Sequence, residues 1–234
     1  MLKVNKIKVC YGQAIALSNV SIEVKQGEII SVIGSNGAGK TTLVNTISGL
    51  IHPESGMIEY KEERIDNLPA HEILKRGIAQ VPEGRKLFGK LSVYENLLIG
   101  AYLLKSEERI NQLLEEVFNM FPILNERKNQ LAETMSGGEQ QMLAFGRALM
   151  SDPELIIFDE PSLGLMPTLV KQVSEKIRQM SDKGYTILLI EQNVQEALKL
   201  ANRAYVIQTG NTILSGNSKE LRNSDLVKKA YLGL

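Results

Sequence analysis

The chain has 234 residues, of which 43% are hydrophobic, and its 27 lysines and arginines are balanced by 27 aspartates and glutamates. This length allows one substantial core, and the zero net charge argues against nucleic acid as the main partner, because no overall positive field would attract it. Cys10 is the only cysteine, so an intrachain disulfide is excluded, and the low aromatic content argues against a base-stacking surface.

The sequence shows neither a membrane-spanning segment nor a secretory signal. Its longest apolar runs are the length of a strand, whereas a membrane helix needs about 20 apolar residues. The N-terminus lacks an apolar signal core and moves straight into an alternating strand pattern. We therefore expect a cytoplasmic protein that does not cross the membrane by itself.

The first third of the chain is rich in predicted strands. Apolar patterns predict strands at 2–9, 20–24 and 28–33, followed by a helix at 41–50. A turn at 53–56 precedes a further predicted strand at 57–60. Pro69 at the first helical position and Gly77 after the end predict a short helix over 69–76.

The pattern becomes helical after Ser92 and alternates again after Ser151. Predicted helices cover 93–104, 107–120 and 139–150; strands at 155–158, 186–190 and 203–208 then alternate with helices at 169–180 and 194–200, and a pair of helices closes the chain. This alternation predicts an α/β fold with a mostly parallel sheet. No linker divides the chain, so we expect one domain over 1–234, with a catalytic core at about 1–91 and 152–234 and a helical insert at about 92–151.

A glycine-rich loop follows the predicted strand at 28–33. Residues 34–41 match G-x-x-x-x-G-K-[ST], with a strand before and a helix after, which is the context of a phosphate-binding loop. Glycines let backbone N–H groups face the phosphates, Lys40 supplies a positive charge at the β and γ phosphates, and the Thr41 hydroxyl can bind Mg²⁺. A chance glycine-rich turn is the alternative, which the flanking elements disfavour. We predict ATP with Mg²⁺ as the ligand of this loop, which comprises Gly34, Ser35, Asn36, Gly37, Ala38, Gly39, Lys40, Thr41 and Thr42.

Two adjacent carboxylates, Asp159 and Glu160, follow the apolar run at 155–158. In open α/β sheets, ligands bind beyond the carboxyl ends of the strands, so both side chains should lie beside the phosphate loop. Mg²⁺ prefers carboxylate and water oxygen, which suits Asp159 as a metal ligand, and Glu160 is then free to orient or deprotonate the attacking water. Solvated charges that merely end a strand are the alternative.

Ser136, Gly137, Gly138 and Glu139 open a predicted helix. Ser136 and Glu139 match a capping box, which many helices carry. The two glycines are unfavourable in a first helical turn, since glycine costs about 1 kcal/mol relative to alanine in a helix interior. A close approach by an anionic ligand would explain them, because bare N–H groups at a helix N-terminus suit a γ-phosphate.

These motifs, in this order, resemble those of the ABC transporter ATPases. The resemblance rests on the phosphate loop at 34–41, the signature at 135–139, the acidic strand end at 155–160 and the following run at 162–165, and it covers essentially the whole chain. It implies a P-loop NTPase fold with an N-terminal antiparallel β subdomain, a mostly parallel core sheet and an inserted helical subdomain.

The resemblance also implies how nucleotide and partners are bound. Tyr11 would stack on adenine, although it also fits a plain aromatic at the edge of a turn. Two ATPase subunits would sandwich two ATP molecules, each held by the phosphate loop of one chain and the signature of the other. The helical insert would dock on integral-membrane permease subunits, so the chain would lie peripherally on the cytoplasmic side of the cell membrane and serve, indirectly, a solute-binding protein.

Glu83 stands where most family members have a glutamine that touches Mg²⁺ and senses the nucleotide. A carboxylate can still coordinate the metal, or contact its water. The run Pro82-Glu83-Gly84 also fits an exposed turn. We favour the metal or water contact, and Gln80, in the preceding strand, is the weaker candidate.

Gln192 stands where the family has a switch histidine, and the only histidines, His52 and His71, lie elsewhere. A glutamine can donate a neutral hydrogen bond to a γ-phosphate but cannot become cationic. We expect this chain's own site to be weakly active, or to depend on a partner subunit with an intact histidine. The alternative is that Gln192 is an inert helix cap and that all catalysis runs through Glu160.

Three short departures from the general family pattern are most similar to one ATPase subunit of the branched-chain amino acid importers. They are the runs at 81–85, 159–165 and 190–193, and importers of urea and other polar solutes share part of them. We therefore predict an ATPase that energises an importer for branched-chain amino acids. An exporter ATPase and a soluble ABC-type regulator are the alternatives. The ATPase dimer can pair this chain with itself or with a related ATPase, and a mixed pair is favoured.

Overall fold

A ten-stranded sheet dominates residues 1–224, the part of the chain that the computed structural model describes. The strands are β1 (Leu2–Tyr11), β2 (Ala14–Val24), β3 (Ile29–Ile33), β4 (Ser55–Tyr60), β5 (Glu63–Arg64), β6 (Ile78–Val81), β7 (Leu155–Asp159), β8 (Thr186–Glu191), β9 (Arg203–Gln208) and β10 (Asn211–Asn217). Their order across the sheet is β5-β4-β1-β2-β10-β9-β3-β8-β7-β6.

Helices connect the strands and cover the sheet. They are α1 (Lys40–Ile47), α2 (Ala70–Lys75), α3 (Val93–Gly100), α4 (Glu107–Met120), α5 (Pro122–Glu126), α6 (Gly137–Leu149), α7 (Pro167–Asp182), α8 (Val194–Leu200) and α9 (Ser218–Asn223), with a 3-10 turn at Ala132–Thr134. Within residues 1–224, none of the helices combines the length and the apolar character that crossing a bilayer requires.

The strands β9, β3, β8, β7 and β6 are parallel and form the half of the sheet that carries the site. Every residue of β3, β7 and β8 is buried, which explains why these strands have continuous apolar sequences. Their carboxyl ends meet at one edge, where Ile33 pairs with Glu191 and Asp159 pairs with Ile190. The loop after β3 and the acidic end of β7 are therefore close neighbours.

The N-terminal strands form the antiparallel half of the sheet. β1 pairs with β2 through a tight turn that brings Tyr11 opposite Ala14, and it pairs with β4 on its other side. β10 joins the two halves, because it is antiparallel to β9 and pairs in parallel with β2 at Asn19. These pairings confirm the predicted α/β fold, with its mostly parallel core sheet and its N-terminal antiparallel region.

The hydrophobic core lies on both faces of the sheet. One face packs against α3 to α7, where the ring of Phe145 in α6 lies 4.6 Å from the ring of Phe158 in β7. The other face packs against α1 and the antiparallel strands, and a smaller cluster joins α8 and α9 to β3 and β9. The helices of segment 92–151 thus share one core with the parallel sheet.

Most predicted elements are present, and their ends differ by a few residues. Pro69 occupies the N-cap position of α2 instead of its first helical position, so the helix begins at Ala70. The helix predicted over 93–104 ends at Gly100. Helix α6 begins two residues before the predicted start, because Ser136 caps it.

The C-terminal part differs from the predicted pair of helices. Residues 211–217 form strand β10, which follows a tight turn in which Thr209 and Gly210 have φ values of 46° and 71°. Two consecutive positive φ values are typical of a two-residue hairpin, so the chain folds back along β9 instead of starting a helix. One helix, α9, follows, and the second predicted helix falls outside the described residues.

Candidate functional site

A cavity of 430 Å³ lies at the carboxyl edge of the parallel strands. One wall is the loop between β3 and α1 together with the first turn of α1, which contribute Asn36, Gly37, Gly39, Lys40, Thr41 and Thr42. Single residues from three other segments also line the cavity, namely Glu83 after β6, Glu160 after β7 and Gln192 after β8. The structure therefore brings together predicted site residues that are far apart in the sequence.

The path of the phosphate loop depends on its glycines. A Cβ on Gly34 would lie 2.3 Å from the carbonyl oxygen of Ile207, and one on Gly39 would lie 2.5 Å from Cδ2 of Leu17. Gly39 also has a φ of 105°, which few other residues adopt. It precedes α1 without any side-chain cap, and the first turn of α1 has no acidic residue, so the helix N-terminus keeps free N–H groups and a favourable field for an anion.

Lys40 is held at the base of this loop. Its Nζ donates to the carbonyl oxygens of Gly34 (3.0 Å) and Ser35 (3.1 Å) and lies 3.1 Å from Oε1 of Glu160. The Lys40 side chain is 4% exposed and that of Glu160 is 9% exposed. Gly34, Ser35 and Ala38 do not line the cavity themselves; they shape the loop, in which the N–H of Ala38 donates to Ser35 (3.1 Å).

Asp159 ends β7 and is 3% exposed. Its Oδ1 has no hydrogen-bond partner among the described residues. Burial, followed by the charges of Glu160 and Glu83, raises the pKa of Asp159 to about 6, against the opposing effect of Lys40. A buried carboxylate oxygen without a hydrogen-bond partner, beside several negative charges, fits a divalent cation. The cation would coordinate this oxygen and offset the negative charge.

The donor set fits Mg²⁺ only if the nucleotide and water complete it. Within residues 1–224, no three carboxylate, histidine or cysteine side chains are grouped closely enough to hold a metal ion by themselves. Asp159, the Thr41 hydroxyl and Glu83 can supply part of an oxygen shell, and phosphate oxygens and water the rest. This partial protein shell is how Mg²⁺ is usually bound at ATP sites.

Glu160 lies just beyond the strand and not in it. Its φ is 48°, in the left-handed region that non-glycine residues rarely adopt, and its backbone N–H donates to the carbonyl oxygen of Ile190 at 3.0 Å. This turn directs the carboxylate toward Lys40, whereas Asp159 stays inside the sheet. The two carboxylates thus differ in burial and in environment.

The signature residues occupy a different place. Ser136 and Glu139 form the predicted capping box, with the Ser136 N–H donating to Glu139 Oε2 at 2.9 Å. None of Ser136, Gly137, Gly138 and Glu139 lines the cavity at Lys40. Packing alone already favours a glycine at position 138, because a Cβ there would lie 2.8 Å from Cδ2 of Leu169.

Tyr11 lies on the β1–β2 turn and is 53% exposed. The cavity wall nearest to this turn is formed by Ile15 and Ala16 of β2, and Tyr11 is not part of the lining. The ring is accessible to a ligand that extends past the wall.

Several lining or supporting residues were missed by sequence reasoning. Ile15, Ala16, Leu163, Thr209 and Gly210 also line the cavity, and Glu191 is buried behind it. Burial raises the pKa of Glu191, and hydrogen bonds from Ser162 and from the backbone of Asn193 oppose this shift. A carboxylate after a continuously apolar strand, the pattern that identified Asp159, could have identified Glu191 as well.

Comparisons with known proteins agree on the family. The family model described as ABC transporter matches residues 17–163. The chain is 47% identical to BraG of Pseudomonas aeruginosa, a high-affinity branched-chain amino acid transport ATP-binding protein, with 100% of both chains covered. It is 35% identical to LivF of Archaeoglobus fulgidus, a probable branched-chain amino acid transport ATP-binding protein, with 100% of this chain and 99% of the relative covered.

Solved structures agree with these matches. A crystal structure of an ATP-binding cassette of an ABC transporter, in its ADP conformation, matches with a TM-score of 0.87 and 29% identity. The match covers 100% of this chain and 99% of that cassette. The chain therefore belongs to the ABC transporter family, as one of its ATPase cassettes.

Proposed function

We propose that this chain binds and hydrolyses ATP to energise an importer of branched-chain amino acids. The single observation that carries the catalytic part is the cavity in which Lys40, Thr41, Glu83, Glu160 and Gln192 converge beside Asp159. The names of the two relatives, one of them 47% identical over its full length, support branched-chain amino acids as the solute.

The catalytic roles follow from position and charge. Lys40 and the N-terminus of α1 bind the phosphates, and the glycines of the loop let its backbone N–H groups approach them. Thr41 and Asp159 would hold Mg²⁺, and Glu83 would contribute a carboxylate oxygen to the metal or to its water. When bound, the metal neutralises charge on the phosphates. Glu160 orients or deprotonates the attacking water, and Gln192 donates a neutral hydrogen bond to the γ-phosphate.

The remaining contacts to nucleotide come from Tyr11 and from a second ATPase subunit. Tyr11 stacks on adenine from its exposed place on the β1–β2 turn. Ser136, Gly137, Gly138 and Glu139 serve the ATP of the partner, which accounts for their distance from this chain's own cavity. Because Gln192 cannot carry a positive charge, we favour a mixed pair in which the partner has a histidine at this position.

The organisation of the chain fits the same proposal. One domain over 1–234 comprises the catalytic core, at about 1–91 and 152–234, and the helical insert, at about 92–151. The insert docks on integral-membrane permease subunits, so the chain lies at the cytoplasmic face of the cell membrane. A solute-binding protein delivers the amino acid to the permease and does not contact this chain.

The proposal is tested by measuring ATP binding and hydrolysis with the isolated, purified chain, so that a partner cassette with its own intact site contributes no turnover. Glu160→Gln should bind Mg·ATP normally and lose most turnover, on the order of 100-fold, because the amide cannot accept the proton of the water. Turnover near the wild-type level would refute the role of Glu160. In the same assay, Gln192→His should raise hydrolysis by the isolated chain, and an unchanged rate would contradict the role of Gln192.

A further inference from the structure

Glu191 is a buried carboxylate to which the proposed mechanism gives no role. It is the last residue of β8, it is 5% exposed, and it pairs across the sheet with Ile33 at the start of the phosphate loop. Taking a carboxylate out of water is costly unless hydrogen bonds compensate for the lost hydration. The partners of Glu191 therefore indicate what it does.

Glu191 accepts hydrogen bonds from the segment that follows Glu160 and from the backbone of Asn193. The N–H of Ser162 donates to Oε1 of Glu191 at 3.2 Å. Ser162 begins the run 162–165, and Glu191 and this run line the same cavity, of 470 Å³, next to the ATP cavity. Glu160 and Gln192 line both cavities. Glu191 thus lines a cavity together with the two side chains to which the proposal gives roles at the γ-phosphate and the attacking water.

The turn that contains Glu160 needs support from outside. Its φ of 48° is unfavourable for a residue with a side chain and persists only where neighbouring structure enforces it. Two consecutive residues of β8 hold the turn. The carbonyl oxygen of Ile190 accepts the N–H of Glu160 at 3.0 Å, and the side chain of Glu191 accepts the N–H of Ser162.

We infer that Glu191 is a positioning residue for ATP hydrolysis, which fixes the turn of Glu160 through the backbone of Ser162. Among residues 1–224, the hydrogen bonds and the ion pair of Lys40 involve Gly34, Ser35 and Glu160 and not Glu191, so Glu191 acts on the orientation of Glu160 and not on ATP binding. This inference rests on the role proposed above for Glu160. The inference predicts that the contribution of Glu191 to kcat depends on its hydrogen-bond-accepting oxygen and not on its negative charge.

The test compares two substitutions of Glu191 in the isolated full chain, so that the intact site of a partner cassette does not mask their effect. Glu191→Gln keeps an oxygen that can accept from Ser162, and Glu191→Met keeps the side-chain length without an acceptor. We expect kcat within about 3-fold of wild type for Glu191→Gln, and a loss of roughly 10-fold to 100-fold for Glu191→Met, because small misplacements of catalytic groups cost this much. The KM for ATP should change by less than about 3-fold in both variants, because neither substitution removes a residue that binds ATP in the ground state.

A matched control separates positioning from general loosening of the sheet. Thr186 is buried at the other end of β8, where its Oγ1 accepts the N–H of Gly27 at 3.0 Å. Thr186→Val removes that acceptor and should lower the unfolding temperature while kcat stays within about 3-fold of wild type. Glu191→Met also removes a buried acceptor and should lower the unfolding temperature to a similar extent, so a larger loss of kcat in Glu191→Met than in Thr186→Val reports positioning.

The outcomes distinguish this inference from the proposed role of Glu160, which is measured in parallel with Glu160→Gln. If Glu160→Gln abolishes turnover and Glu191→Met does not reduce it, only the positioning role is wrong. An equal loss in Glu191→Gln and Glu191→Met, or an equal loss in Thr186→Val, also overturns the positioning role. If Glu160→Gln hydrolyses ATP normally, the role of Glu160 fails and the inference fails with it.

Discussion

At the scale of single residues, Asp159 combines deep burial with an oxygen that has no hydrogen-bond partner in the described part of the chain. Burial is the main reason that its pKa is raised to about 6. In the unfolded chain, an aspartate has a pKa of about 4. The folded protein therefore holds this proton more tightly than the unfolded chain, which makes Asp159 a source of pH-dependent stability.

The first prediction concerns Asp159→Asn in protein freed of metal and nucleotide. Because the folded pKa is raised, the contribution of Asp159 to the free energy of unfolding is full below pH 4 and is lost as the pH rises through about 6, by up to about 2 to 3 kcal/mol. Asp159→Asn should remove this decline. Urea unfolding between pH 4 and pH 7, in the presence of a chelator, measures it.

Asp152→Asn is the matched control for this prediction, because Asp152 is an exposed aspartate that pairs with Arg109 on the surface. It should leave the decline between pH 4 and pH 6 in place. If Asp159→Asn kept the same decline as wild type, Asp159 would not be the group responsible.

At the scale of elements, helix α6 connects the signature to the loop that carries Glu83. Arg147 of α6 donates to the carbonyl oxygens of Arg85 (3.1 Å) and Lys86 (2.8 Å), and Arg85 donates to Gln140 of α6 at 2.9 Å. Arg85 and Lys86 both have positive φ values, so α6 stabilises a loop conformation that these residues would not favour alone. One helix thus begins at the signature and holds the loop that follows Glu83.

Helix α6 packs closely against three other helices because it has a glycine, Gly146, at the point where they approach it. A Cβ on Gly146 would lie 2.9 Å from Leu97 in α3 and from Val117 in α4, and 3.2 Å from Leu124 in α5. The second prediction is that Gly146→Ala lowers the free energy of unfolding by about 1 to 2 kcal/mol, because overpacking three side chains outweighs the gain in helix propensity. Chemical denaturation measures this change.

Gly137→Ala at the start of the same helix is the matched control. There a Cβ would meet only the end of the Arg85 side chain, at 3.2 Å, which can move aside. Its free energy of unfolding should stay within about 1 kcal/mol of wild type. Equal destabilisation by both substitutions would contradict the packing argument.

At the scale of the whole molecule, the ATP cavity is assembled at the edge where β3, β7 and β8 end, and the signature at the start of α6 lies outside it. A site that uses both therefore needs two chains. The absence of a cationic side chain at Gln192 favours a different cassette as the second chain.

The third prediction follows from this incomplete site. A complex purified through a tag on this chain should contain, besides permease subunits, one copy of this chain and one copy of a different ATPase cassette. Native mass spectrometry of the intact complex measures the copy numbers. Two copies of this chain and no second cassette would contradict the mixed pair.

Sequence reasoning needed only local pattern where a motif is contiguous. The loop at 34–41 and the acidic pair at 159–160 were predicted because each has its required strand beside it, and the structure places Lys40 next to Glu160. It failed at β10, where the hairpin depends on positive φ values at Thr209 and Gly210 that composition indicates only weakly. It missed Ile15 and Ala16 because they line the cavity only through the pairing of β2 with the rest of the sheet.

By itself, the sequence determined the α/β fold, the phosphate loop with Lys40 and the acidic end of β7, since strand period, glycine content and charge are local properties. Only the tertiary structure decided that Glu160 lies in a left-handed turn held by β8, that Glu191 faces Ser162, and that α6 fixes the loop after Glu83. The physical reason is that these contacts join segments from different strands and helices, and their distances depend on how the sheet and helices pack, which no local pattern encodes.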